Sequence, residues 1–143
     1  MTTSDKQKMV EIIKKAQNFA FLATCDGDQP RVRPMATMLD DDMSVWMATS
    51  AKSRKVQQIK KNPKVSLTFV VPPQGDQAVT ILGEAVIVKD MEEKKKVWKL
   101  AAYDPLRFWP DGPETEDYCV LKIKIKQIEW WESFEDGMKT YEP

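Results

Sequence analysis

The sequence predicts a mainly β domain with flanking helices, its strands joined antiparallel into a barrel or a curled sheet. Three observations carry this. Short strand-like runs come in consecutive sets instead of alternating singly with helices, so sequence neighbours are expected to pair antiparallel. There are many such runs for one domain, which favours a sheet that curls on itself. Three amphipathic stretches interrupt them, giving the order α, βββ, α, ββ, α, ββ.

In chain order, Thr3 or Ser4 can cap a first helix whose apolar stripe is Met9, Ile12, Ile13 and Ala16. Phe19 to Cys25 reads as a short buried strand. Asp26-Gly27-Asp28 is a turn in which glycine supplies the positive φ. Arg31 to Leu39 is the returning strand, and Pro34 inside it implies an edge, a bulge or a break in pairing. Asp40-Asp41-Asp42 makes a second turn before a strand over Ser44 to Ala48, and the three strands are expected to form a meander. Ser53 to Lys61 reads as a helix with Val56 and Ile59 on one face, stopped by Asn62-Pro63. Lys64 to Val71 alternates as a strand. Beyond the loop PPQGDQ, Val79 to Val88 is another, with Gly83 at a bulge or close approach. Met91 to Ala102 is a helix with Val97, Leu100 and Ala101 inward, and its run Glu92 to Lys96 is expected to be solvated. Residues 103–117 form a long connection carrying Phe108 and Trp109. Tyr118 to Ile125 and Ile128 to Trp131 are two final strands joined by Lys126-Gln127.

Composition narrows the chemistry. A chain of 143 residues is about one domain, long enough to bury a core. Lys plus Arg equals Asp plus Glu at 22 each, a balance that argues against a general nucleic-acid or anionic-membrane surface, so any anion site is local. The N-terminal segment does not read as a signal peptide, and no apolar run approaches the roughly 18 residues of a membrane span. The two cysteines, Cys25 and Cys119, read as small buried hydrophobes in a reducing, cytoplasmic setting. Histidine is absent, which removes Ser-His-Asp and Cys-His catalysis and ordinary zinc sites, and no metal site is expected. No carboxylate pair has the spacing of an acid–base couple. Most of the five tryptophans are expected in the core or an interface.

Two segments could carry chemistry. Thr49-Ser50-Ala51-Lys52-Ser53-Arg54-Lys55 follows a strand and opens a helix. Helix starts offer free N–H groups to an anion, and Ser53, Arg54 and Lys55 add a hydroxyl, a guanidinium and an ammonium suited to a phosphate monoester. Read alone, the segment is either that site or a solvated basic turn, although basic residues oppose the dipole there. In Arg31-Val32-Arg33-Pro34-Met35-Ala36-Thr37, Arg31, Arg33 and Met35 share a face. Arg33 either adds a second charge to a phosphate or is solvated at an edge.

Together, Arg33-Pro34-Met35-Ala36, then Thr49, Ser53-Arg54-Lys55, Gln58-Ile59, Asn62-Pro63 and Val65-Ser66-Leu67 resemble the pyridoxamine-phosphate-oxidase-like, FMN-binding split-barrel superfamily. Phe108-Trp109-Pro110-Asp111-Gly112-Pro113, Tyr118, Leu121 and Ile128-Glu129-Trp130-Trp131 resemble its general-stress-protein branch. The resemblance implies a six-stranded antiparallel split barrel, with FMN as cofactor at the interface of a homodimer. It assigns phosphate binding to Arg33, Ser53, Arg54 and Lys55, and contact with the flavin to Pro34, Met35, Ala36, Thr37, Ala48 and Thr49. Trp109 is implied to reach the flavin of the other subunit. The family's glutamine at the strand after the PPQGDQ loop falls on Gln77 or on Ala78. An FMN-dependent oxidoreductase with a small-molecule electron donor or acceptor is the implied function; the alternative is a non-catalytic binder of flavin, of the deazaflavin F420 or, less well without histidine, of haem. The oxidases' closing Arg-x-His signature is missing: Glu129-Trp130-Trp131-Glu132-Ser133 stands in its place, so oxidation of vitamin B6 phosphates is not expected.

Overall fold

A computed structural model describes residues 3–143, with side chains from Asp5 onward; the expected caps Thr3 and Ser4 lie outside the described side chains. The first helix, α1, spans Thr3–Lys15 and buries Met9, Ile12, Ile13 and Ala16, the stripe the sequence predicts. Strand β1 (Phe19–Asp26) turns at Gly27, φ +61°, into β2 (Gln29–Ala36). The predicted single strand 31–39 breaks at Thr37, and only Met38–Leu39 continues, as β3. The physical cause is local. Both the backbone N–H and the hydroxyl of buried Thr37 bond to the Asn18 carbonyl, at 2.8 and 2.7 Å, so that residue leaves the ladder.

Strand β4 (Val45–Ser50) follows, then α2 (Arg54–Lys61), β5 (Lys64–Val70) and β6 (Ala78–Ile87). Helix α2 is capped by the Ser53 hydroxyl and buries Val56 and Ile59 as expected. Helix α3 (Met91–Leu100) is capped by Asp90 and buries Val97, but Leu100 is exposed, contrary to its predicted inward place. The charged run on α3 is also less solvated than predicted. Glu93 accepts the Trp46 indole N–H at 2.8 Å, and Lys94 and Lys96 lie over the rings of Tyr118 and Trp46. Long charged side chains can cover apolar surface in this way.

The two predicted final strands are one, β7 (Tyr118–Trp131). Ile125 pairs with Gly83 and Gln127 with Leu82, so Lys126 is the extra residue of a bulge and the strand continues past it. A Cβ on Gly83 would collide with the Lys124 carbonyl, which accounts for glycine at that position. A short β8 (Lys139–Tyr141), absent from the sequence reading, pairs with β7.

All pairings are antiparallel, in the order β2-β1-β5-β6-β7-β4-β3, with β8 off the path. The predicted meander of the first three strands is therefore corrected: β4 pairs with β7, not with β2. The two ends of the path, β2 and β3, are separated in sequence by Thr37 alone. A sheet whose opposite edges are joined by one residue has to curl, which gives the split-barrel shape. The sheet counts eight strand segments, against the six that the resemblance implies and the seven runs read from the sequence: the break at Thr37 and β8 each add one to the seven, and the merged β7 removes one.

The larger core fills the curl with Leu22, Met47, Leu67, Phe69, Ile81 and Leu121, sealed by α1 and by Val56 and Ile59 of α2. Each such side chain, fully buried, contributes about 1.5–3 kcal/mol. A second core outside it gathers Met38, Trp46, Val97, Trp109, Tyr118 and Val120. Trp46, Trp109 and Trp130 are buried, as most of the tryptophans were expected to be. Cys119 is buried, but Cys25 is only half-buried, unlike its predicted state.

Candidate functional site

Two strands and one connection build a cleft of about 460 Å³. Met35 and Ala36 come from the end of β2, and Ala48, Thr49 and Ser50 from the end of β4. The connection 103–117 supplies the opposite wall through Tyr103, Arg107, Phe108, Trp109 and Asp117. Its aromatic residues are mutually braced. Trp109 meets Tyr118 edge-on at 4.9 Å between centroids, Phe108 at 5.8 Å and Trp98 at 6.4 Å.

Asp117 ties the two walls together. Its carboxylate accepts from Ser50 Oγ at 2.7 Å and from Trp109 Nε1 at 3.3 Å, while its carbonyl accepts the Ala51 N–H at 2.9 Å. The Ser50 hydrogen bond, ahead of the others, holds the Asp117 carboxyl below its ordinary value. Burial raises the Tyr103 phenol, which stays protonated at neutral pH.

Beside the cleft lies a cluster of cations. Arg33 on β2 donates through Nη1 to Thr24 Oγ1 at 2.8 Å and to the Leu22 carbonyl at 3.2 Å, and through Nη2 to Gln58 Oε1 at 3.2 Å. The Thr24 hydroxyl in turn donates to Gln58 Oε1 at 2.6 Å. Lys55, in the first turn of α2, donates to Thr49 Oγ1 at 2.9 Å, and Thr49 lines the cleft. Both cations are half-buried, and among the described residues neither pairs with a carboxylate. Burial first and Arg31 second lower the Arg33 pKa; burial first and Arg33 second lower that of Lys55. Two cations that repel each other are thus partly desolvated, with only neutral oxygens as partners, an arrangement that favours an incoming anion.

The structure brings most of the predicted residues together. Met35, Ala36, Ala48, Thr49 and Trp109 line the cleft, Lys55 bonds to its wall at Thr49, and Arg33 bonds to Thr24 and Gln58. Trp109 lines the cleft of its own chain. Pro34 is exposed on β2, paired with Phe21, and Thr37 is buried at the barrel corner. Ser53 is spent on capping, accepting the Val56 N–H at 3.4 Å. Arg54 is exposed and lines a second cleft. Gln77 stands apart, its side chain accepting from Lys15 at 3.5 Å, and Ala78 is fully buried between Val70 and Trp131. Sequence reasoning missed Tyr103, Arg107 and Asp117 on the flap and Thr24 behind Arg33. No local pattern marks them; Asp117 and Thr24 matter through Ser50 and Gln58, far away in the chain.

A curled antiparallel barrel with an aromatic-walled cleft beside a cation pair defines a split-barrel ligand-binding protein. A profile of the pyridoxamine 5'-phosphate oxidase family matches residues 5–132, and the chain belongs to that family. It is 28% identical over 125 residues to general stress protein 26 of Bacillus subtilis, covering 86% of this chain and 85% of that one. The crystal structure of general stress protein 26 from Bacillus anthracis superposes with a TM-score of 0.79 at 25% identity, covering 96% and 98% of the two chains. A NimC/NimA family protein from Clostridium acetobutylicum shares the fold, with a TM-score of 0.78 at 22% identity over 99% of this chain and 94% of that one. Among the described residues no helix is long and apolar enough to cross a membrane, and no group of acidic or sulfur ligands is placed to hold a metal.

Proposed function

We propose that the protein binds FMN and serves as an FMN-dependent oxidoreductase of the general-stress-protein type, as a homodimer. One observation carries the reading: Arg33 and Lys55 are half-buried cations without a carboxylate partner among the described residues, and Lys55 is joined through Thr49 to the cleft. The residues present fit the cofactor. Arg33 and Lys55 hold the phosphate, with Arg54 and the Ser53 turn at its outer side. Thr49 meets the ribityl chain, Met35, Ala36, Ala48 and the backbone of residues 34–37 flank the ring, and the aromatic flap around Trp109 keeps water from it. Bound FMN supplies the hydride and electron chemistry. Asp117 acts as a positioning residue, since it fixes the Trp109 indole against the β4 end.

The second copy is supported by the outer face of β1 and β2. Phe19, Phe21 and Val32 are 46%, 47% and 68% exposed there, beside Pro34, and the facing side chains of β5 and β6 are Thr68 and Thr80. That face carries no charge at these positions, and Ala36 at its end lines the cleft, so a partner seated on it completes the wall.

Vitamin B6 phosphates do not fit as substrates. They need a second cation from the closing strand, where Glu129-Trp130-Trp131-Glu132-Ser133 stands in place of Arg-x-His, Lys8 and Lys139 are taken by Glu132 and Trp130 is buried; Arg107, which lines the cleft, comes from the connection 103–117 instead. The test is titration of the apoprotein with FMN and riboflavin. FMN is expected to bind more tightly, and Arg33→Ala or Lys55→Ala each to weaken FMN by about tenfold to a hundredfold, the value of a charged hydrogen bond. Equal affinity for the two flavins overturns the reading. Bleaching of the bound flavin by NAD(P)H without air is the expected sign of catalysis.

A further inference from the structure

Arg33 is fixed by groups that leave its charge intact. A guanidinium presents five N–H groups in one plane. Among the described residues, Nη1 donates to Thr24 Oγ1 at 2.8 Å and to the Leu22 carbonyl at 3.2 Å, and Nη2 donates to Gln58 Oε1 at 3.2 Å. The Thr24 hydroxyl also donates to Gln58 Oε1, at 2.6 Å, so the two acceptors touch each other. An acceptor pair that close spans the Nη1–Nη2 end of the guanidinium. The N–H groups left, one on Nη2 and one on Nε, then lie side by side on its lateral edge. That edge is a bidentate fork of the kind that holds a phosphate.

The two supports come from different elements. Thr24, 2% exposed, lies on β1; half-buried Gln58 lies on α2, three residues beyond Lys55 and so on the same side of the helix. Helix α2 therefore carries one cation of the pair and the support of the other. The Thr24 hydroxyl accepts from Arg33 and donates to Gln58 at once, which serine can repeat and valine cannot. The Gln58 oxygen takes both of its bonds without bringing a charge. A carboxylate in its place would hold the guanidinium as firmly but neutralise it. An apolar side chain would leave it charged but loose, and the cost of ordering it would then fall on binding. Only a neutral acceptor pair keeps Arg33 both fixed and charged.

Resting on the reading of Arg33 and Lys55 as the FMN phosphate site, we propose that Thr24 and Gln58 are positioning residues that make this site selective for the phosphorylated flavin, by holding the Arg33 fork in place without neutralising it. The experiment titrates apoprotein with FMN and with riboflavin and reads the ratio of the two affinities. It compares the wild type with Thr24→Val, Thr24→Ser and Gln58→Glu, and follows thermal unfolding of each apoprotein. Thr24→Val is expected to lower the preference for FMN by about tenfold, and Thr24→Ser to keep it within about twofold of wild type. Gln58→Glu is expected to lower it by about tenfold or more. Its apoprotein is expected to unfold at the wild-type temperature or above, because the new carboxylate pairs with Arg33 where the phosphate would. An unchanged preference in Thr24→Val or in Gln58→Glu, or an equal loss of FMN and riboflavin, assigns these residues to the fold alone. Either result overturns the proposal and leaves the phosphate site standing. A wild type that binds riboflavin as tightly as FMN overturns the phosphate site, and this proposal with it.

Discussion

Half-buried cations usually sit against carboxylates; Arg33 and Lys55 sit against a carbonyl, two hydroxyls and an amide. For Lys55 this has a pH consequence. Burial and Arg33 depress its pKa in the free protein, and a phosphate would raise it again. Binding then takes up a proton above the depressed value. The ratio of FMN to riboflavin affinity is expected to be flat below that pKa and to fall as pH climbs from it toward the ordinary lysine value. Lys55→Arg, with its permanently charged side chain, is expected to abolish the fall; equilibrium titrations across alkaline pH check both. The cation pair was legible in the sequence because Arg33 and Lys55 belong to a spaced motif and basic residues at a helix start are locally unfavourable. Thr24 was not legible behind Arg33, nor was Asp117 as the brace between Ser50 and Trp109. Each is an ordinary strand-end or loop residue until the fold supplies its partner.

Among the elements, the β6–β7 ladder shows how far periodicity reaches. Gly83 was legible as a bulge because a glycine interrupts a strand pattern, and the register shift between Leu82 and Gly83 lies there. The opposite half of the same bulge misled: Lys126-Gln127 breaks the alternation of β7 and reads as a turn, although pairing with β6 carries the strand through. The misplacement of β4 has the same origin. A hairpin with β2 is the local expectation, but β7 offers a longer partner and Thr37 diverts the chain from β2. Gly83→Ala is expected to cost about 1–3 kcal/mol, since its new methyl must displace the Lys124 backbone and not a flexible side chain. Urea denaturation of the variant checks this, and a midpoint equal to wild type would show that the bulge can relax.

For the molecule as a whole, the uncharged β1–β2 face is the feature that single-chain stability does not explain. Phe21→Asp and Val32→Asp place charge on a side chain already exposed in the protomer, so the fold is expected to survive. Sedimentation is expected to show a dimer for the wild type and a monomer for both variants, with FMN affinity reduced in the monomer. A wild-type monomer with full FMN affinity would count against the shared site. The overall curl was legible only in outline: many short strands in sequence promise closure, but which edges meet depends on Thr37 and on a strand pairing between distant halves of the chain.

That last pairing has a consequence for time. The β1–β2 hairpin closes across a two-residue turn, but β4 finds β7 only after most of the chain has been drawn in. Long loops are costly to close before their contacts form, so the β4–β7 seam is expected to assemble late. The cleft straddles that seam, with Ala48 and Thr49 on one side and Asp117 at the start of the other. A ligand there meets a finished pocket and no earlier species. Adding FMN during stopped-flow refolding is expected to leave the folding rate unchanged and to slow unfolding, so the cofactor lengthens the lifetime of the native state without guiding its formation.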